Sequence, residues 1–409
     1  MDEPRWQPPQ RPAWVTLLNR VGVTLGSPAA LVPLDEQSLL EAAKAATGLE
    51  DFGGDEWRKP FRILLADIEN EANLTLAGRL LTRYDVVRSL LVRLQMAETE
   101  KRHPEILEQP VEAPIFITGM GRTGTSILYE LMAQDPRMRA TLGWELRFPG
   151  HDDRRIADVA AEIDLWLEVV PEFKPIHEMS AEGADEDVVG EMHEFMSQVF
   201  TATHRAPNYE AWLVGSSMAQ AFRFHRRLLQ HLQWKTPGRV IVKGPSHISC
   251  LPSLFAEYPD AQVIMTHRDP LKVMASTANM FATLRWQRSD RVNYAEIVQP
   301  LALGYPFLMD MIIQQRSTGV VPDDRFVDVR FADLMLDHLG TISWTYEQLG
   351  IDLTDEVADR MRTYLDAKPR ARHGSHVYRF DDLGLDQDEM RTKFASYMKH
   401  FDIPEEEQL

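Results

Sequence analysis

The run Ile115-Phe116-Ile117-Thr118-Gly119-Met120-Gly121-Arg122-Thr123-Gly124-Thr125-Ser126 does most to limit what this chain can fold into. An apolar β-strand enters a glycine-rich turn, and a helix begins directly after it with Ile127-Leu128-Tyr129. Such a turn surrounds an anion with backbone N–H groups and the positive end of a helix. Gly119 and Gly124 keep the spacing of the nucleoside-triphosphate loop, G-x-x-x-x-G-K-[ST]. Thr125 stands where that loop has its lysine, and the nearest cation is Arg122, inside the turn. The expected ligand is phosphate-like, and the expected chemistry is not that of an ordinary ATPase.

Three more short apolar runs, Arg239–Val242, Gln262–Thr266 and Arg325–Val329, join Ile115–Thr118 as strand candidates, each followed by a helix-like stretch. This alternation predicts an α/β fold with a P-loop-like parallel sheet flanked by helices. Ahead of it, residues 1–33 carry six prolines and read as an extended arm. Helical stripes follow at Phe61, Leu64, Leu65 and Ile68, and at Leu80, Tyr84, Val87, Leu91 and Leu94; Pro104 ends the last of these helices. The expected division is an arm and helical region over 1–105 and an α/β domain over 106–409. A helical insert at about 150–235 is marked by Ile156, Val159, Ile163, Trp166 and Val170.

A net charge of −18 argues against nucleic acid as a partner and requires any anion site to be a local basic pocket. Cys250 is the only cysteine, which rules out an intrachain disulfide or a multi-cysteine metal site and fits a reducing cytoplasm. Met1-Asp2-Glu3-Pro4 has no secretory character. The apolar stretch Ile297 to Ile313 is interrupted by Pro300, Pro306 and Asp310, so no membrane span is expected. His193-Glu194 lacks the second histidine of a zinc protease, because position 197 is Ser197.

The other strand ends carry further candidate residues. The second strand ends in Val242-Lys243-Gly244-Pro245-Ser246-His247, which puts Lys243 at the sheet edge where ligands of open α/β sheets bind. The third ends in Met265-Thr266-His267-Arg268-Asp269-Pro270, where Asp269 and Pro270 start a helix that carries Ser276. Arg268 offers a planar fork for a phosphate and Ser276 a hydroxyl donor. In Gly143-Trp144-Glu145-Leu146-Arg147, apolar neighbours would desolvate Glu145 and strengthen it as a general base. Judged on that local sequence alone, an ion pair with Arg147 or a helix cap is the better reading. His247 and His267 are alternative bases, and Trp286 and Arg288 candidate pocket residues.

Taken in order, G-x-x-R-T-G-T-S, W-E-x-R, V-K-G-P-S-H and P-D-A-Q-V-I-M-T-H-R-D-P-x(5)-S resemble the sulfotransferases that use 3′-phosphoadenosine-5′-phosphosulfate (PAPS). The likeness is strongest to the bacterial branch related to tyrosylprotein sulfotransferases, and it runs from about Pro114 to Pro404. It implies that Gly121, Arg122, Thr123, Gly124, Thr125 and Ser126 hold the 5′-phosphosulfate, and that Arg268 and Ser276 bind the 3′-phosphate. It implies that Lys243 and Arg122 stabilise the transferring group and that Glu145 is the catalytic base, reversing the local preference. Arg372, His373 and Gly374 match a loop that closes over the nucleotide. Phe331 replaces a common tyrosine beside the adenosine. PAPS would be the co-substrate, with no metal required; the acceptor would be a small molecule or lipid, with a hydrophobic one suggested by the apolar segments. A nucleotide-dependent kinase and a non-catalytic nucleotide-binding protein of the same fold are the alternatives.

Overall fold

A computed structural model describes residues 5–149, 155–368 and 379–406. Strands β1 (Ile115–Gly119), β2 (Met138–Ala140), β3 (Arg239–Lys243), β4 (Gln262–His267) and β5 (Phe326–Arg330) form one parallel sheet in the order β2-β3-β1-β4-β5. Side chains of successive strand residues point to opposite faces, and each face has its own core. Phe116, Val240, Val242, Val263 and Met265 enter the larger cluster. Ile115, Ile117, Ile241, Ile264, Val327 and Val329 enter the cluster on the other side. Helices cover both faces, giving the α/β architecture that the sequence predicts.

Ile117 pairs with both Lys243 and Ile264, and Gly119 pairs with Thr266, so the carboxyl ends of β3, β1 and β4 are level. The chain builds the sheet outward from β1 in both directions. The glycine-rich turn therefore opens at a topological switch point, where α/β sheets bind their ligands.

Two sequence expectations need correction. Residues 1–33 do not form an extended arm, because Ala13–Thr24 and Pro28–Leu31 are helical. The early prolines cluster at positions 4 to 12, leaving a proline-free stretch in which Val15 is buried. Pro300 and Pro306 do not interrupt the later apolar stretch either; both lie inside one helix, Ala295–Ser317. By length and composition this helix could cross a membrane, yet Ile297, Val298, Leu301, Met309 and Ile312 join the main core. That burial offsets the roughly 3 kcal/mol that each internal proline costs.

The long helix Leu76–Arg102 abuts the end of Pro270–Arg288. A Cβ at Gly78 would lie 1.9 Å from the Arg288 carbonyl oxygen, so only glycine admits this approach. The Thr75 N–H donates to that same carbonyl at 2.9 Å. The contact brings Asp85 and Arg88 to the wall of the cavity described next.

Candidate active site

Above the carboxyl ends of the strands lies a cavity of about 620 Å³. At one end it is lined by Gly119, Met120, Gly121, Arg122, Gly124, Thr125 and Ser126, by Glu186 and Arg268, and by the ring of Phe331. Elsewhere its surface is mostly apolar, with Ile163, Trp166, Phe173, Met280, Phe281 and Leu308 prominent. Asp85, Arg88, Arg147, Glu162, Asp185 and Arg288 form a buried or half-buried ionic network at its wall.

The turn is set by backbone conformations that few residues adopt. Gly119 has φ +145°, and a Cβ there would come within 2.6 Å of the Thr266 carbonyl oxygen. Gly124, at φ +90°, precedes the helix Thr125–Met132. Arg122 is also left-handed, at φ +69°, a conformation that is costly for a residue with a Cβ. Its guanidinium is held on two sides: Nη1 donates to the Ile176 carbonyl at 2.8 Å, and Nε donates to Ser276 Oγ at 3.2 Å. Arg268 Nη1 donates to the Arg122 carbonyl at 3.0 Å. Arg122, Arg268 and Ser276, far apart in sequence, thus share one corner.

Lys243 ends β3 with its side chain buried, and its ammonium donates to Ser126 Oγ at 3.0 Å. Its other partner is Glu186, with Nζ 2.9 Å from Oε1. Burial pushes the Glu186 carboxyl up, but the charge of Lys243, helped by His177 and Arg122, outweighs burial and holds it down at about 2. Half-buried His177 lines the same cavity. Burial, reinforced by Lys243 and Arg122, holds its imidazole below the ordinary histidine range despite Glu186 and Asp185 nearby.

The Arg268 fork already carries an anion. Glu406 accepts from its Nε and Nη2 at 2.8 Å each, and the guanidinium lies 4.0 Å above the centre of the Phe331 ring. The Glu406 N–H donates to Asp269, which also accepts both arms of Arg391.

Other expected residues lie elsewhere. Glu145 is buried and absent from the cavity lining; Arg139 donates to it through two nitrogens at 2.6 and 3.0 Å, and it accepts from the Leu142 N–H at 3.2 Å. In the single helical turn Gly143–Arg147, it is Arg147 that faces the cavity. The sequence assignment of Glu145 as base does not match this placement. Thr123 turns its hydroxyl inward to Met120 and Thr266. His267 lies between Asp328 and Tyr397, stacked on Phe401, and His247 sits behind β3; neither lines the cavity. Trp286 donates to the Pro9 carbonyl and lies under Arg11, so it anchors the N-terminal segment. Arg372, His373 and Gly374 lie outside the described residues. Glu186 and His177 were missed in the sequence because nothing adjacent to them signals that the insert folds back onto β3.

A glycine-rich turn at a switch point, Arg122 and Arg268 beside it and an apolar chamber next to them form a site suited to an anionic group with an apolar partner. The chain belongs to the sulfotransferase family, whose model matches residues 114–355. It is 26% identical over 270 residues to the omega-hydroxy-beta-dihydromenaquinone-9 sulfotransferase Stf3 of Mycobacterium tuberculosis, covering 62% of this chain and 67% of that protein. Among solved structures it is similar to sulfotransferase STF9 from Mycobacterium avium, at 28% identity and a TM-score of 0.82 over 90% of this chain and 97% of that one. Sulfotransferase STF1 from Mycobacterium tuberculosis gives 27% identity and a TM-score of 0.78 over 89% and 99%.

Proposed function

We propose that this enzyme moves the sulfuryl group of PAPS onto a hydroxyl of a hydrophobic, lipid-like acceptor. The observation that carries this reading is the union of one cationic head, formed by the turn, Arg122 and Arg268 and backed by buried Lys243 through Ser126 and Glu186, with one apolar chamber. Membership of the sulfotransferase family and the lipid-like acceptor named for the Stf3 relative support it. The donor fits the residues present: the turn suits a 5′-phosphosulfate, and the Glu406 carboxylate on Arg268 marks a fork able to hold a second phosphate.

In the transfer, the acceptor oxygen forms a bond to sulfur as the bond from sulfur to the 5′-phosphate oxygen breaks. The electron pair of that bond leaves with adenosine 3′,5′-bisphosphate. His177, kept neutral by its surroundings, takes the hydroxyl proton. Lys243, Arg122 and the N–H groups of the turn stabilise the charge gathering on the leaving oxygens. Glu186 and Ser126, which line the cavity, hold the Lys243 ammonium directly behind them.

Radiolabelled PAPS offered with hydroxylated isoprenoids, fatty alcohols, sugars and small phenols tests the proposal. Labelled product is expected from the long apolar alcohols. Turnover of sugars alone would refute the acceptor class, and consumption of ATP with indifference to PAPS would refute the donor.

Two further results are expected. A base at His177 works only when unprotonated, so kcat/KM falls as pH drops through an inflection below 6.5 and is level from there to neutrality. The variant His177→Gln loses that acid limb and on the order of 10²-fold in rate. A rate profile between pH 5 and 9 measures both; an unchanged limb in the variant would assign it to another group. The Glu406→Gln variant frees the Arg268 fork, and calorimetry is expected to show adenosine 3′,5′-bisphosphate binding roughly 2–5-fold more tightly, the range of a partly exposed ion pair. Unchanged affinity would mean that the bisphosphate does not compete for Arg268.

A further inference from the structure

Behind β3, away from the cavity lining, lies a second group of ionisable side chains. Asp187 immediately precedes the short helix Val188–Glu191, which places Asp187 and Glu191 four residues apart on one side. His247 comes from the turn after β3, and His225 from the helix Ala219–Lys235. All four are buried, Asp187 and His247 completely. The rings of Phe116, Phe222 and Tyr258 surround the two imidazoles, so the medium is largely apolar.

The donor atoms converge. One ligand atom from each of Asp187, Glu191 and His247 lies within 4.8 Å of the others. His247 Nε2 is 3.1 Å from Asp187 Oδ2 and 3.2 Å from Glu191 Oε1, and His225 Nε2 is 2.9 Å from Asp187 Oδ2. The ring N–H directions nevertheless miss these oxygens. Both Asp187 oxygens, Glu191 Oε2, His225 Nε2 and both nitrogens of His247 are buried without a hydrogen bond. Leaving both Asp187 oxygens without a hydrogen-bond donor, and Glu191 with one only on Oε1, is costly in an apolar interior. Atoms that face one another at these separations without bonding are arranged as ligands of a common centre are. Metal–ligand bonds of about 2.0–2.1 Å in tetrahedral geometry put neighbouring ligand atoms about 3.3 Å apart.

We propose that Asp187, Glu191 and His247 bind a divalent transition-metal cation, with His225 positioning Asp187. Two carboxylates balance a charge of +2, and a mixed oxygen and nitrogen set suits Zn²⁺ or Mn²⁺. Outer partners of the kind that orient metal ligands are present: Ser246 Oγ donates to Glu191 Oε1 at 2.9 Å, and the Tyr258 hydroxyl lies 2.8 Å from His225 Nδ1. The cation is structural. The Asp187 N–H donates to the Lys243 carbonyl at 2.8 Å, and Glu186, the adjacent residue, holds the Lys243 ammonium. A metal here pins the insert to the strand end that carries Lys243 and takes no part in the transfer.

The full chain, purified without chelator, is expected to carry close to one equivalent of Zn²⁺ or Mn²⁺ by elemental mass spectrometry. Chelation should lower Tm by several degrees, and either ion alone should restore it. Co²⁺ added to the stripped protein should give visible d–d absorption that saturates at one equivalent, and Glu191→Gln should abolish it. Should Glu191→Gln fail to fold, His225→Gln, which leaves all three ligands in place, is expected to weaken Co²⁺ binding by at least tenfold. Metal content below a tenth of an equivalent, together with a Tm indifferent to chelator and to both ions, would overturn the proposal. The cluster would then be a buried network of carboxylates and imidazoles without a metal.

Discussion

Replacing Lys243 with alanine is expected to lower kcat by on the order of 10²–10³, about 2.7–4 kcal/mol of barrier, while adenosine 3′,5′-bisphosphate still binds. The ammonium stands between Ser126 of the turn and Glu186, in a buried setting where a fixed charge acts with little screening. In the proposed transfer, charge developing on the leaving oxygens would meet this group at full strength, whereas the bisphosphate product would also be held by the turn and by Arg268. The loss should therefore fall on kcat and spare product affinity. Removing Lys243 also strands the Glu186 carboxylate, so stability is measured alongside. The double variant Lys243→Ala/Glu186→Ala should recover Tm and leave the rate low. A Lys243→Ala enzyme within tenfold of the parent rate in the labelled-donor assay would remove Lys243 from the mechanism.

Legibility in the sequence followed the range of the interactions involved. β1, β3 and β4 were readable as short apolar runs buried on both faces and β5 by Val327 and Val329 on its buried face, and the residues at their ends follow from the strands. β2, Met138–Ala140, has no such run and exists through its pairing with β3. The gathering of Arg122, Arg268 and Ser276 at one corner and of Lys243 beside Ser126 could be anticipated because turn and strand ends are local features. Glu186 and His177 could not, since the insert that bears them reaches the site only through tertiary contacts such as the bond from the Asp187 N–H to Lys243. Pro300 and Pro306 show the same limit: local chemistry disfavours a continuous helix across them, and packing overrides it.

Glu145 separates a resemblance from a geometry, and its removal is expected to act on stability first. Arg139 donates to both carboxylate oxygens with each side chain about 8% exposed, and its remaining hydrogen bonds go to the carbonyls of Thr236 and Ala140. Glu145→Ala leaves a buried guanidinium without its counter-charge and the Leu142 N–H without its acceptor. The expected cost is about 3–5 kcal/mol of unfolding free energy, read from urea denaturation. Replacing both partners with residues of similar shape, Arg139→Met with Glu145→Leu, should return much of it, because an apolar pair needs no compensation in that position. The fraction of Glu145→Ala protein that remains folded at low temperature should turn over within a few-fold of the parent, since the carboxylate does not reach the cavity. The opposite outcome, an intact Tm with a rate reduced a hundredfold or more, would make Glu145 the proton acceptor and dismiss His177. The two carboxylates near β3 therefore differ in kind. Glu186 faces the reacting groups through Lys243, whereas Glu145 neutralises Arg139 and so fixes the turn from which Arg147 reaches the cavity wall.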